Sequence, residues 1–420
     1  MTELNRRRFL GGVGVTALGA ALAACGGSGT GSGGSSLTYM DYDNAEQIAN
    51  VKKVLAAFRK DSGVKVALDN LSGSGAAIYP GKVRTALLGG SPPDVFRIWG
   101  GSIGAPFATA HQVIDLAPYY ERYGWDAKLL KGSIGDFTYD GVKYGVPVYA
   151  SAIGVYYRKD MLAKAGTTVP TSYDELEATN AALVKAGVTP FLAGGKYGWY
   201  LMRFFEYFLE TVAGPELHDQ LLQGKTSWDR TEVVDAFAML KKWTDKKWFA
   251  DGVLGLDPSQ VESNLVAGKG AMVLDGQWVE GVVATADAAT QAEIGTFIPP
   301  TGQSTLRFSG FSEGLMIPRG APNKDQSAKF VDFFLRATSQ AQLGNSYSTV
   351  KAYEPDAKTS PLSLQWQKWQ NEHAHYMIQD QALSAEAANT YFSVQSDVMQ
   401  GKQSPKDAAK AVATAVSKKG

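Results

Sequence analysis

A G-x-S-x-G pattern, Gly310-Phe311-Ser312-Glu313-Gly314, contains the residue types of a serine nucleophile. In α/β-hydrolases this pattern turns sharply from a strand into a helix and so exposes the serine hydroxyl. In this chain residues 315–318 continue as an extended segment, and the two histidines that follow lie in a stretch that indicates a helix or an irregular loop. A secreted hydrolase that uses Ser312 is therefore an alternative that the local pattern disfavours.

Neither a metal centre nor a glycosidase pair is indicated by the titratable residues. His373 and His375 are two positions apart, which points their side chains away from each other on a helix, and no cysteine or convincing third ligand lies near them. Glycosidases use two carboxylates about 5 to 10 Å apart, and a chain this rich in acidic residues contains such pairs by chance. We expect surface histidines, no metal and no cofactor.

Aromatic and acidic residues follow two predicted strands. Trp99 comes directly after an apolar strand and precedes Gly100 and Gly101, which places it at the carboxyl end of that strand. Open α/β sheets bind ligands at this end. Trp278, with Asp275 before it, follows another apolar segment, and both a place in a cleft and packing at a hinge fit this position.

The elements that must position these residues alternate between strand and helix. Apolar runs predict strands at Leu37–Met40, Val64–Leu68 and Asp94–Ile98, and apolar residues at helical spacing predict helices at Ile48–Phe58 and Lys82–Leu88. The order β-α-β-α-β favours a largely parallel sheet flanked by helices.

The alternation continues downstream. We predict a strand at 188–192 and helices at 171–187, 199–212, 233–243 and 328–335. Three extended segments have polar or aromatic centres, as expected of strands that pass between two lobes: Tyr144–Tyr157, Ala271–Trp278 and Phe308–Ile317.

An export signal precedes the predicted fold. Three arginines, Arg6 to Arg8, precede an apolar stretch that ends in small residues, and that stretch is too short to span a bilayer. The start is similar to the twin-arginine pattern, and Leu22–Cys25 is similar to a bacterial lipobox. We predict a signal peptide at 1–24 and a lipid on Cys25, which is the only cysteine. The protein is then anchored at the extracellular face of the cell membrane.

Charge and composition limit the classes of partner. Without residues 1–24 the chain loses three arginines and one glutamate, which leaves 38 basic and 40 acidic side chains and a net charge of −2. This balance argues against nucleic acid or an anionic membrane surface as the principal partner. After Cys25, the residues up to Ser36 are nearly all Gly, Ser and Thr, typical of a flexible linker. Residues 37–420 exceed what one core usually serves, which indicates two lobes.

Several motifs, in this order, give the sequence a family resemblance. They are Pro93–Phe96 with Trp99–Gly101, Tyr144–Pro147, Gly154–Asp160, Val169–Leu176, Gly198–Met202, Gly268–Met272, Gly276–Trp278 and Ser312–Gly314. With them the chain resembles the extracellular solute-binding proteins of carbohydrate ABC importers, the broad family that includes maltose- and other oligosaccharide-binding proteins. One departure lies at Tyr39–Tyr42, which lacks a tryptophan common in related proteins.

The resemblance implies an α/β, two-lobed, periplasmic-binding-protein-like fold. Each lobe is expected to be a mostly parallel sheet flanked by helices, joined by a hinge of two or three strands, with the ligand in the cleft and no catalysis. We assign residues 37–148 plus 272–310 to the N-terminal lobe and residues 149–271 plus 311–420 to the C-terminal lobe. The implied partners are a carbohydrate, which closes the cleft, and the permease subunits of an ABC importer with their ATPase.

A sugar site needs aromatic rings for the apolar C–H faces and polar side chains for the hydroxyls, and 9 Trp and 19 Tyr supply many rings. Trp199 starts a helix after a glycine-rich loop and matches a family tryptophan that stacks on sugar. Glu206, further along that helix, either reaches a hydroxyl or lies on a solvated face. A polyol, a peptide or a metal are alternative solutes. The expected ligand-binding residues are Asp41, Tyr42, Trp99, Tyr149, Ser151, Trp199, Glu206, Asp275, Trp278, Ser312 and Glu313.

Overall fold

The computed structural model describes residues 36–42, 45–71, 75–344, 347–354 and 360–417. The predicted signal peptide, Cys25 and linker residues 26–35 lie outside these ranges. The strands of the described residues are β1 (Ser36–Asp41), β2 (Lys65–Asn70), β3 (Val95–Trp99), β4 (Thr138–Tyr139), β5 (Val142–Lys143), β6 (Val146–Arg158), β7 (Phe191–Leu192), β8 (Met272–Gly276), β9 (Ile294–Phe297), β10 (Phe308–Met316) and β11 (His375–Met377).

Helices connect and cover these strands. In chain order they are α1 (Ala45–Ser62), α2 (Gly75–Leu88), α3 (Gly101–Thr109), α4 (Ala117–Tyr123), α5 (Trp125–Lys128), α6 (Lys131–Gly135), α7 (Lys159–Lys164), α8 (Tyr173–Lys185), α9 (Trp199–Leu222), α10 (Thr231–Asp245), α11 (Val261–Val266), α12 (Val279–Val283), α13 (Ala288–Glu293), α14 (Lys324–Phe334), α15 (Ala337–Leu343), α16 (Pro361–Glu372), α17 (Gln379–Ala382), α18 (Ala385–Met399) and α19 (Pro405–Ser417). No helix in the described part of the chain has the length and apolar composition needed to cross a membrane.

The main sheet has the strand order β2-β1-β3-β10-β6-β8-β7. At one end β1 pairs in parallel with β2 and β3, and at the other end β7 pairs in parallel with β8. Between these ends β10 and β6 pair antiparallel to each other and to their outer neighbours. The predicted largely parallel arrangement therefore holds within each end, and two antiparallel strands join the ends.

Strands β6 and β10 belong to both halves of the sheet. The first part of β6, up to Ala152, pairs with β10, and its later part, from Ile153, pairs with β8 and β9. The end of β10 pairs with β3, and its start pairs with β11. Two of the three segments predicted to cross, Tyr144–Tyr157 and Phe308–Ile317, contain these two strands. The third, Ala271–Trp278, forms β8, which pairs with β7 and the later part of β6, so it lies in one half only.

The contacts group the later segments differently from the predicted lobe boundaries. Strands β8 and β9 pair with the later part of β6, whereas the prediction places 272–310 with the first lobe. Helices α14 and α15 pack against α1, whereas the prediction places them in the second lobe. The chain thus returns to the first half through β10, which a pattern of strands alone does not reveal.

Each half has its own aromatic packing. In the first half, Phe58 of α1 packs edge-on against Phe330 of α14, with ring centroids 5.2 Å apart. In the second half, Trp243 of α10 packs against Phe208 of α9 at 4.9 Å. These rings are fully buried, so removal of apolar surface from water holds the helices on the sheet.

Two elements depart from the predicted bounds for local reasons. The strand predicted at 188–192 shortens to β7 because Val188 donates its N–H back to Leu183 at the end of α8, and Pro190 has no N–H for a ladder. The helix that starts at Trp199 extends to Leu222, with a break at Gly214, where φ is +71° ahead of Pro215.

Gly154 in β6 offers a test of packing between the sheet and α16. A Cβ at this position would collide with the indole of Trp366, which is fully buried. We expect Gly154→Ala to lower the free energy of unfolding by roughly 1–3 kcal/mol through overpacking, measured by urea denaturation.

Gly281→Ala is the matched control, because Gly281 lies in α12 with open space around its Cβ position. Alanine there should stabilise the helix by up to about 1 kcal/mol. Equal effects of the two substitutions would contradict the packing described for β6 and α16.

Candidate functional site

The candidate site begins where the strands of the first half end. Asp41 ends β1, Trp99 ends β3, and Glu313 lies in β10 directly opposite both Trp99 and Tyr149. Directly paired residues project from the same face of a sheet, and so do residues two apart along a strand. Arg97 therefore shares this face with Trp99 and Glu313.

Arg97 is the centre of the first cluster. Its Nε lies 3.2 Å from Asp41 Oδ1 and 3.3 Å from Glu313 Oε2. Its guanidinium also lies over the rings of Tyr42, at 4.2 Å, and Tyr149, at 5.0 Å. Arg97 and Asp41 are buried, so loss of either partner would leave a charge in a poorly solvated place. The ion pairs and the cation–π contacts together hold all four partners around one guanidinium.

Tyr42 is the more accessible ring of this cluster. It stacks on Trp99 with centroids 4.2 Å apart and contacts Tyr79 at 4.6 Å. Trp99 is 8% exposed, and both tyrosines pack against its indole. The ligand contact predicted for Trp99 stays a prediction, and Tyr42 presents the larger accessible surface beside it.

A second cluster forms around Arg203 in the other half. Arg203 forms a buried ion pair with Asp275 at the end of β8. Tyr200 donates its hydroxyl to Asp275 at 3.0 Å. The guanidinium lies 5.0 Å from the ring centre of Trp199 and 5.2 Å from that of Trp278. As in the first cluster, one buried arginine contacts a carboxylate and several aromatic rings.

Glycines set the direction of the two tryptophans in this cluster. Gly198 has φ +78° and caps α9, so the chain turns there and Trp199 becomes the first helical residue. Any side chain on Gly198 would also press on Phe392 of α18, at 2.6 Å. At Gly276 a Cβ would collide with the ring of Trp278. The absence of side chains at these glycines lets the rings lie close to the backbone.

Phe311 connects the two clusters. It lies two residues before Glu313 on the same face of β10, opposite Ser151 of β6, and its ring is 6.1 Å from that of Trp278. We call the resulting set the aromatic strip. It consists of Tyr42, Arg97, Trp99, Tyr149, Ser151, Phe311 and Glu313 with Trp199, Arg203 and Trp278, and Asp41 and Asp275 flank its arginines.

Two of the predicted residues lie apart from the aromatic strip. Ser312 is fully buried and alternates with Phe311 and Glu313, so its side chain projects from the opposite face of β10. It lies inside one continuous strand, which is not the strand-to-helix turn of a hydrolase nucleophile. Glu206 is fully buried rather than on a solvated face, and its carboxylate accepts the N–H of Gln379 at the start of α17.

Sequence reasoning missed both arginines. Arg97 interrupts the apolar run of β3, Val95–Trp99, and an arginine inside a buried strand requires partners. Arg203 lies four residues after Trp199, which places the two on one face of a helix. These two signals were present in the sequence. The contact of Phe311 with Trp278 depends on how the two strands pair and has no local signal.

Two carboxyl groups near Arg203 have raised pKa values. Burial, followed by the negative charge of Asp275, raises the pKa of Glu262 to about 7, and Trp278 is a hydrogen-bond partner of this carboxyl group. Burial raises the pKa of Glu206 to about 8. The strip as a whole offers flat apolar rings, carboxylate acceptors and guanidinium donors, which together suit a ligand with apolar faces and a rim of hydroxyls. Among the described residues, no group of three or more His, Cys, Asp or Glu could hold a metal ion.

The raised pKa of Glu206 predicts a pH dependence of stability. Between about pH 4.5 and 8 the folded state holds a proton that the unfolded state has released, so the free energy of unfolding falls as pH rises. We expect Glu206→Gln to remove this fall, so that the variant gains stability over the original chain by up to about 1.4 kcal/mol per pH unit across this window. Urea midpoints of both proteins at pH 5, 6, 7 and 8 measure this difference in stability.

Glu121→Gln, at an exposed position in α4, is the control for this experiment. It is expected to change all four midpoints by the same small amount. If the difference in urea midpoint between Glu206→Gln and the original chain became smaller with rising pH, this result would contradict the buried placement of Glu206.

Known proteins match this chain in sequence and in structure. A family model described as bacterial extracellular solute-binding protein matches residues 43–341. An uncharacterised ABC transporter extracellular-binding protein of Pyrococcus horikoshii is 25% identical over 317 residues, which cover 72% of this chain and 67% of that protein. A maltooligosaccharide ABC transporter solute-binding lipoprotein of Streptococcus pneumoniae is 26% identical over 330 residues, with 72% and 69% covered. The chain spans about half to two thirds of the length of the curated relatives it first matches.

The solved structure of a chitin oligosaccharide binding protein matches with a TM-score of 0.79 at 23% identity, covering 91% of this chain and 98% of that one. At this identity the likeness concerns the fold. It confirms the predicted α/β, two-lobed, periplasmic-binding-protein-like architecture.

Proposed function

Since the chain belongs to the bacterial extracellular solute-binding proteins, we propose that it captures a sugar, in the form of an oligosaccharide, outside the cell for delivery to an ABC importer. The same membership confirms the prediction of a binding protein rather than an enzyme. The observation that carries the sugar assignment is the aromatic strip, in which the half-buried rings of Tyr42, Trp199 and Trp278 lie beside carboxylates and arginines.

The chemistry of the strip favours a sugar over other solutes. Rings such as Tyr42, Trp199 and Trp278, each half-buried, offer flat apolar surfaces to pyranose C–H faces. Carboxylates and guanidinium groups, held in place by one another, exchange hydrogen bonds with hydroxyls. Arg97 and Arg203 already have carboxylate partners, so an anionic solute finds no uncommitted arginine in the strip. A polyol lacks the ring face and a peptide lacks the hydroxyl rim.

The length of the strip supports an oligosaccharide. The first cluster surrounds Arg97 and the second surrounds Arg203, and Phe311 lies between them. A ligand of several rings would contact both clusters at once, whereas a single ring would contact one. Structures with the same fold include a chitin oligosaccharide binding protein and a maltose-bound protein, which is consistent with this size of ligand.

Sugar capture in this proposal closes a cleft between two lobes, and β6 and β10 form the hinge between them. We place the described residues of 36–152 and 311–354 in the first lobe and those of 153–310 and 360–417 in the second, because the strand pairing and the packing of α14 and α15 group them so. A sugar that contacts the clusters of both lobes favours the closed state over the open one. The closed form would then dock on the permease, whose ATPase drives release and uptake.

Export and anchoring complete the proposal. The signal peptide at 1–24 directs the chain out of the cell, and a diacylglyceryl group on Cys25 holds it at the extracellular face of the membrane through the linker. Tethering raises the concentration of the binding protein near the importer. A lipoprotein name in the Streptococcus pneumoniae relative supports this arrangement.

A ligand screen tests the sugar assignment. We expect one class of oligosaccharide to raise the melting temperature of residues 26–420, because a ligand of the native state stabilises it. Trp199→Ala should weaken the affinity for that sugar at least tenfold, about 1.4 kcal/mol, in isothermal titration calorimetry.

Trp369→Ala is the matched control, since Trp369 is a half-buried tryptophan of α16 that packs on Trp366, outside the strip. It should leave the sugar affinity within about twofold of the original value. Stabilisation by a polyol or a peptide, with no response to any sugar, would leave the family assignment intact and refute the sugar.

Fractionation of cells tests the anchor. In the full chain, Cys25→Ser removes the thiol that carries the lipid, so the protein should move from the membrane pellet to the soluble fraction. Immunoblots of both fractions measure this change. Retention of Cys25→Ser in the pellet after a high-salt wash would contradict a lipid anchor at this residue.

A further inference from the structure

A cavity of about 530 Å³ lies beside β11, apart from the aromatic strip. One wall comes from the first half of the sheet, with the start of α3 and residues 135–139. The other comes from the second half, with the end of α9, Arg307, β11 and α17. None of the strip residues is part of this lining in the described chain. The sugar proposed above therefore does not occupy it.

Three polar groups of the lining lack hydrogen-bond partners. Asp136 and Gln381 are each 5% exposed, and neither Asp136 Oδ2 nor Gln381 Oε1 has a hydrogen-bond partner. The hydroxyl of Tyr139 is also buried without a partner. Leaving a buried polar atom unsatisfied costs roughly 1–3 kcal/mol, so such groups normally face a ligand or water. Asp136 Oδ2 and Gln381 Oε1 can only accept hydrogen bonds, so their partner in the cavity must be a hydrogen-bond donor.

The charges of the lining also favour a cation. Asp136 and Asp219 contribute carboxylates. The guanidinium of Arg307 is already bonded, through Nη1 to Asp219 at 2.9 Å and through Nε and Nη2 to Glu210 at 2.9 Å. The nearest nitrogen to Asp136 Oδ2 in an ion pair is His375 Nε2, at 3.8 Å, which is beyond hydrogen-bond distance. Asp136 is therefore the acceptor that a cationic donor would satisfy best.

We propose that this cavity is a second binding site, for a small protonated amine that also carries hydroxyl groups. The ammonium group binds Asp136, and the hydroxyls bind Tyr139 and Gln381. Because the walls come from both halves of the sheet, the occupant contacts both. Its binding is then linked to any change in their relative position, and by reciprocity to sugar affinity.

Two probes of the same shape test the chemistry. Tris(hydroxymethyl)aminomethane carries one amine and three hydroxyls, and pentaerythritol replaces that amine by a fourth hydroxymethyl group. Met377 lines the cavity, so its ¹³C-labelled methyl group reports occupancy by NMR, with the resonance assigned through Met377→Leu. In phosphate buffer at pH 7 we expect saturable shifts with the amine and at least tenfold weaker binding of pentaerythritol.

Substitutions locate the site. Asp136→Asn removes the charge, and we expect it to weaken the amine at least tenfold while leaving pentaerythritol within about twofold. Tyr139→Phe removes only the hydroxyl, and a loss of threefold or more is expected. The matched control is Asp126→Asn, at an exposed carboxylate of the same half that pairs with Lys143, and it should leave binding of the amine unchanged.

Equal binding of the two probes, the absence of any saturable shift, or an unchanged affinity in a folded Asp136→Asn variant would each overturn the proposal. A water-filled cavity would give the second of these results. The cavity and the aromatic strip share no residue, so each of these outcomes bears on the second site, and the ligand screen, run without the amine, tests the sugar assignment separately.

Discussion

The antiparallel pairing of β6 with β10 is the constraint on which the other features depend. The two strands pair where the halves of the sheet meet, from Val146 to Ala152 in β6, so the alternation of their side chains fixes what each face presents there. Tyr149, Ser151, Phe311 and Glu313 project from one face, and this is why two clusters built in different halves form one strip. A shift of β10 by one residue against β6 would send Phe311 and Glu313 to the face opposite Tyr149 and Ser151.

Burial of charge has opposite consequences at the arginines and at the isolated carboxyl groups. Arg97 and Arg203 are buried together with carboxylates, so each charge is compensated and each arginine orients its ring neighbours. Glu206 is buried mainly with neutral partners, and its pKa rises to about 8. Desolvation thus has two results. Arg97 and Arg203 stay charged in the strip because they are paired, whereas the carboxyl group of Glu206, beneath α17, holds a proton.

Local pattern sufficed to predict much of the fold. Apolar runs located β1, β3, β6 and β10, and helical spacing located α1 and α10, because these elements bury one face or the whole strand. The half to which each later segment returns could not be predicted, since it depends on pairing between strands far apart in sequence. The site followed the same division. The aromatic residues at strand ends were predictable, but the contacts of Arg97 and Phe311 require the assembled sheet.

The order in which the hinge is synthesised has a kinetic consequence. Ala152 of β6 pairs with Gly310 of β10, roughly 160 residues later. Helices α14 and α15 come after β10 in the chain and pack against α1, near its start. Closing so long a loop costs entropy before any contact compensates it, and topologies with many distant pairings fold slowly. Until residue 316 emerges, β6 retains an unpaired apolar edge, which is the kind of surface that aggregates and that chaperones protect.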